Sequence, residues 1–63
     1  MISHPFPDGS LVKTYGRPND KTLTYGIVEG YVRDYNPCDS FYFILIDNRI
    51  QARNRRDVWL VNQ

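Results

Sequence analysis

Proline and glycine recur so regularly along this chain that no long helix fits between them. Prolines stand at positions 5, 7, 18 and 37 and glycines at 9, 16, 26 and 30. Proline removes a helical hydrogen bond, and glycine adds backbone freedom that a helix must give up. The stretches between them are rich in Tyr, Phe, Val, Ile and Thr, whose flat or β-branched side chains suit a pleated surface. The chain therefore reads as short strands joined by turns. Its 63 residues limit it to one domain.

Pro7-Asp8-Gly9 has the chemistry of a turn, with proline presetting φ and glycine accepting a positive value. It separates an N-terminal tail, residues 1–8, from a domain spanning 9–63. Ser10 to Tyr15 alternates as a first strand, and 16–21 follows as a polar loop. The longest extended stretch runs from Thr22 to Tyr35, where Gly26 and Gly30 predict a bulge or bend. Asn36 to Ser40 interrupts it before Phe41 to Ile46 resumes. Asp47-Asn48 reads as a two-residue hairpin turn, because both residues tolerate left-handed geometry. Arg49 to Arg53 is the returning strand, Asn54 to Asp57 one tight 3₁₀ turn, and Val58 to Val61 the last strand. Trp59 alternates with Val58 and Leu60 and should point away from the face that those two share.

That hairpin turn fixes a register, pairing Ile46 with Arg49, Ile44 with Gln51 and Tyr42 with Arg53. Leu45 then faces Ile50, and Phe43 faces Ala52. Directly paired residues share one side of an antiparallel sheet. Phe43, Leu45, Ile50 and Ala52 form a wholly apolar side, which the sequence predicts as the core. The opposite side, Tyr42, Ile44, Ile46, Arg49, Gln51 and Arg53, mixes apolar groups with guanidinium groups and is predicted as a recognition surface.

The order of a short strand, a long strand carrying Gly-Ile-Val-Glu-Gly-Tyr-Val, a hairpin, one tight turn and a final Val-Trp-Leu-Val resembles the SH3-like small barrel. Tudor, chromo-barrel and KOW-type domains share this layout, and the likeness covers roughly residues 9 to 62. It implies an all-β barrel of about five antiparallel strands with a 3₁₀ turn before the last. Plasmid-borne tetrameric dihydrofolate reductases use the same barrel, with a Val-Gln-Ile-Tyr run in their pore. Ile50-Gln51-Ala52-Arg53 shares only the glutamine and an aliphatic neighbour, so that activity is not carried over.

Function narrows by elimination. Cys38 and His4 are each the only residue of their kind, so an internal disulfide and Cys/His metal spacing are both absent. Neither a metal nor a cofactor is expected. His4 sits in a proline-flanked tail and is expected to be solvated, while Cys38 has acidic Asp39 beside it, the reverse of an activated nucleophile. An enzyme is not expected. No apolar run is long enough to span a bilayer, and the free thiol fits a reducing cytoplasm. Self-association is the remaining common aid to the stability of so small a fold.

Four of the eight Lys and Arg residues, Arg49, Arg53, Arg55 and Arg56, fall within eight positions of a chain whose net charge is only +1. Arginines can hold phosphates while Tyr31, Tyr35 and Tyr42 stack on bases. The leading expectation is a non-enzymatic module that binds RNA or DNA. The alternative is a protein-interaction or inhibitory module, of a kind that suits a phage or plasmid, anchored by Ile44 and Ile46 on a partner or a second copy. A plainer reading leaves the arginines as solubilising groups on a sheet edge and folds Ile2 and Phe6 over the two isoleucines.

Overall fold

The structure, a computed structural model, describes residues 4–17 and 20–61. Five strands form one antiparallel sheet: β1 (Leu11–Arg17), β2 (Asp20–Val32), β3 (Phe41–Ile46), β4 (Arg49–Asn54) and β5 (Val58–Leu60). Their order across the sheet is β4-β3-β2-β1-β5. The sheet is open, since β4 and β5 stand at its two edges and do not pair with each other. The expected all-β architecture is present; a closed barrel is not.

The turns form where the residues allow them. Asp47 and Asn48 have φ values of 50° and 64°, which gives the β3–β4 hairpin the twist its strands need. Every pair in the expected register is present, from Ile46–Arg49 to Tyr42–Arg53. Gly9 adopts φ 88° and the Ser10 amide donates to the Pro7 carbonyl at 3.1 Å. Along β2 the pairing with β3 shifts between Val28 and Gly30, the bulge that the glycine pattern predicts. β1 reaches Arg17 and β2 begins at Asp20, so both strands extend into the expected polar loop; its positions 18 and 19 lie outside the described residues.

Two 3₁₀ turns follow strand ends, Pro37–Asp39 and Arg55–Asp57. Asn36 and Asn54 cap them by accepting the amides of Cys38 and Arg56 at 3.1 and 3.0 Å. The Asn54 amide group donates to the Cys38 carbonyl at 2.9 Å, which ties the two turns together.

The sides of the β3–β4 hairpin are the reverse of the expectation. Tyr42 and Ile44 are 0% exposed and Ile46 is 3% exposed. They pack with Phe6, Val12, Val28 and Val58 as the core. Phe43 and Ile50, the expected core, are 38% and 54% exposed. The cause lies outside the hairpin. β1 and β2 place Val12, Thr14, Gly26 and Val28 on the same side as Ile44, and the segment before β1 lays Phe6 over it. A methyl group at position 26 would overlap Ile44 Cγ2 and stand 3.0 Å from the Leu45 carbonyl, so only glycine lets β3 pack this closely. Phe6 fulfils its half of the plainer reading; Ile2 lies outside the described residues.

Candidate functional site

The four clustered arginines do not form one face. Arg53 is used internally. Its Nε donates to the Tyr15 carbonyl and its Nη2 to the Gly16 carbonyl, both at 2.9 Å. Nη1 reaches the Ala52 carbonyl at 2.8 Å, and Nη2 also donates to Gln51 Oε1 at 2.6 Å. The planar guanidinium thus joins edge strand β4 to the far end of β1, so Arg53, expected to contact phosphates, and Gln51, expected on the recognition surface, are engaged in that tie. Arg49 lines a separate wide cleft with Arg17, Asp47 and Gln51. Arg56 is exposed on the second 3₁₀ turn. Ile44 and Ile46 are buried and offer no anchor to a partner.

Three expected residues do come together. Tyr31, Tyr35 and Arg55 line a cleft of about 290 Å³ with His4, Arg33 and Asp34. Tyr31 follows the β2 bulge on the core side, its ring centroid 4.7 Å from that of Tyr42. Beyond the end of β2, the consecutive residues Arg33, Asp34 and Tyr35 all line this cleft. Tyr35 is fully exposed and shares the cleft with the Arg33 and Arg55 side chains. Tyr42 lies beneath the cleft, with its hydroxyl already engaged.

Buried Ser40 sets the walls. Its hydroxyl accepts the Asp34 amide at 3.0 Å, and its carbonyl accepts the Arg55 amide at 3.0 Å. One residue therefore fixes both the 33–35 segment and the start of the second 3₁₀ turn. Asp34 Oδ1 accepts the Asn36 amide at 3.2 Å, so the single lining carboxylate is engaged locally while two arginines supply positive charge.

His4 is not a solvated end residue. It is half-buried, its ring centroid lies 4.6 Å from that of Phe6, and its Nδ1 meets the Tyr42 hydroxyl. That hydroxyl accepts the Phe6 amide at 2.9 Å, and in the neutral ring protonated on Nε2 its own proton can be donated to Nδ1. Burial, and then the positive charge of Arg55, lowers the His4 pKa from its ordinary value of 6.5. Burial also raises the Tyr42 pKa, against the opposing bond from the Phe6 amide. Both shifts favour the neutral form of the group.

Arg33, Ser40 and His4 were not among the expected site residues. The spacing Tyr31-x-Arg33-x-Tyr35 is the signal that could have revealed Arg33. His4 and Ser40 become legible only through contacts distant in sequence.

Trp59 sits at the other edge of the sheet, over a groove lined by Lys13, Tyr15, Lys21, Leu23 and Leu60. It meets Tyr15 edge to face at 5.7 Å. Val58 is buried and Trp59 exposed, as their alternation predicts. Among the described residues no cluster of three or more His, Cys, Asp or Glu side chains could hold a metal ion, and no helix is long and apolar enough to cross a membrane. Compared with protein-family models, curated proteins and solved structures, the chain matches none.

Proposed function

We propose that this chain is a small non-enzymatic binding module of SH3-like design that holds single-stranded RNA or DNA across the Tyr31–Arg33–Tyr35–Arg55 cleft. The single observation that carries this reading is the fully exposed Tyr35 ring on the cleft that Arg33 and Arg55 also line. An aromatic platform accepts any base, and guanidinium groups flanking it accept the phosphates on either side. The SH3-like reading draws support from the strand order, the 3₁₀ turn before β5 and the bridge from Arg53 to the end of β1. The non-enzymatic reading draws support from His4, whose Nδ1 is committed to Tyr42, and from Cys38, which lies on an exposed turn. The exposed thiol also favours a reducing, cytoplasmic setting.

Fluorescence anisotropy with short labelled single strands tests the reading. Two phosphates neutralised on a single strand give a slope of log K against log salt of about −1.4. Tyr35→Ala should weaken binding by about 1–3 kcal/mol, the usual cost of losing one stacked base. Arg33→Ala and Arg55→Ala should each flatten the salt slope. An affinity unchanged by all three substitutions rejects the proposal.

A second reading, contact with another protein, is favoured by a different observation: the outer side of the sheet is apolar and uncovered.

A further inference from the structure

At one level of the sheet, Ile50 of β4 pairs with Leu45 of β3, Leu45 with Ile27 of β2, and Ile27 with Leu11 of β1. Paired residues share a side, so this is a continuous aliphatic row across four strands. The next level holds Ala52 beside Phe43, and the level beyond it Phe41 beside Val32. Phe41 and Phe43 meet edge to face at 5.4 Å. None of these residues carries a charge, and Leu11, Val32, Phe43, Ile50 and Ala52 are all exposed; exposed Glu29, the extra residue of the β2 bulge beside Gly30, is the acidic group on this side. The first charge in line beyond Leu11 along β1 on this side is that of Lys13, which pairs with Tyr25 and Trp59.

From this face we infer that the chain forms a two-fold dimer by packing the outer side of its sheet against the same side of a second copy. Two features select a second copy as the occupant. A two-fold interface must be complementary to itself, and an apolar surface whose nearest charges are of both signs, Glu29 and Lys13, satisfies that condition, whereas a face charged with one sign repels its own image. The dimensions also fit. The first level spans four strands about 4.8 Å apart and the next two, each about 6.8 Å further on, span three, so with side-chain margins the patch is roughly 20 Å by 15–20 Å and stacks on another sheet at about 10 Å. Two such patches remove on the order of 1,000 Å² from water, the lower bound for a specific interface. A 63-residue chain with seven buried apolar core residues among its described residues has reason to need that burial. The inference is independent of nucleic-acid binding.

Sedimentation velocity tests it. The wild-type chain at micromolar concentration should sediment with twice the 7.4-kDa chain mass. Ile50→Lys should sediment as a monomer with far-ultraviolet circular dichroism unchanged. Ala52→Lys places a charge on the β4 side of the face, directly beside Phe43, without deleting an apolar contact, and should do the same if Ile50→Lys fails to fold. Arg56→Ala, away from the face, should remain dimeric. A wild-type chain that stays monomeric into the millimolar range overturns the inference and leaves the face to a different protein. A dimer that survives Ala52→Lys, or one that Arg56→Ala dissolves equally, also overturns it.

Discussion

Ile44 of β3 lies directly over Gly26 of β2, so closely that no β-carbon fits at position 26. This contact settles which side of the hairpin is the interior, because it brings β3 onto Val12, Val28 and Val58. Gly26→Ala should force β3 outward, at the 1–3 kcal/mol usual for overpacking a tight core. Urea denaturation followed by Trp59 emission measures the cost. Gly30→Ala is the control, since a methyl group there meets nothing nearer than Phe43 at 3.9 Å, and it should cost less.

Arg53→Ala should destabilise the chain by about 1–3 kcal/mol, because partly buried carbonyls at Tyr15 and Gly16 lose their donor. Arg53→Lys should recover only part of the loss, since an ammonium cannot reproduce the planar fork that meets both carbonyls. Oligonucleotide affinity of the folded fraction should be unchanged in both variants, which separates this structural arginine from Arg33 and Arg55.

His4 makes stability depend on pH. Its folded pKa lies below the ordinary 6.5, so in the window between the two values the unfolded chain binds more protons than the folded one. Stability therefore rises with pH through that window, is complete above about 6.5 and falls as acid protonates the ring. Thermal melts between pH 5 and 7.5 should show this slope in the wild type (roughly the range in which imidazole titrates). His4→Gln should flatten it. A slope that persists in His4→Gln would trace the dependence to another group.

The local layout was legible in the sequence. Asp47-Asn48 specified its turn through its own backbone preferences, and the turn in turn specified every β3–β4 pair. Gly26 and Gly30 announced the irregularity in β2, and Asn54 to Asp57 the second 3₁₀ turn. The choice of inside and outside was not legible, because β3 carries large apolar residues on both of its sides. Phe43, Leu45, Ile50 and Ala52 make the cleaner apolar set, whereas Tyr42, Ile44 and Ile46 face Arg53, Gln51 and Arg49. Those polar partners sit on an edge strand, where long side chains reach backbone carbonyls or water past the core. Gly26, Val12 and Phe6 decide the matter, and each contacts the hairpin from far away in sequence. The candidate site was half legible for the same reason. Tyr31, Tyr35 and Arg55 meet, but adjacency along the chain overstated the arginine cluster, which the edge strand and the following turn disperse.

The most direct test of this account compares Ile44→Ala with Ile50→Ala by chemical denaturation, at a concentration low enough for the chain to be monomeric. Ile44 is fully buried and Ile50 is 54% exposed. Ile44→Ala should cost about 2–5 kcal/mol, and Ile50→Ala no more than about 0.5 kcal/mol. An Ile50 variant that loses as much stability as the Ile44 variant, or more, would contradict the assignment of the two sides of the sheet.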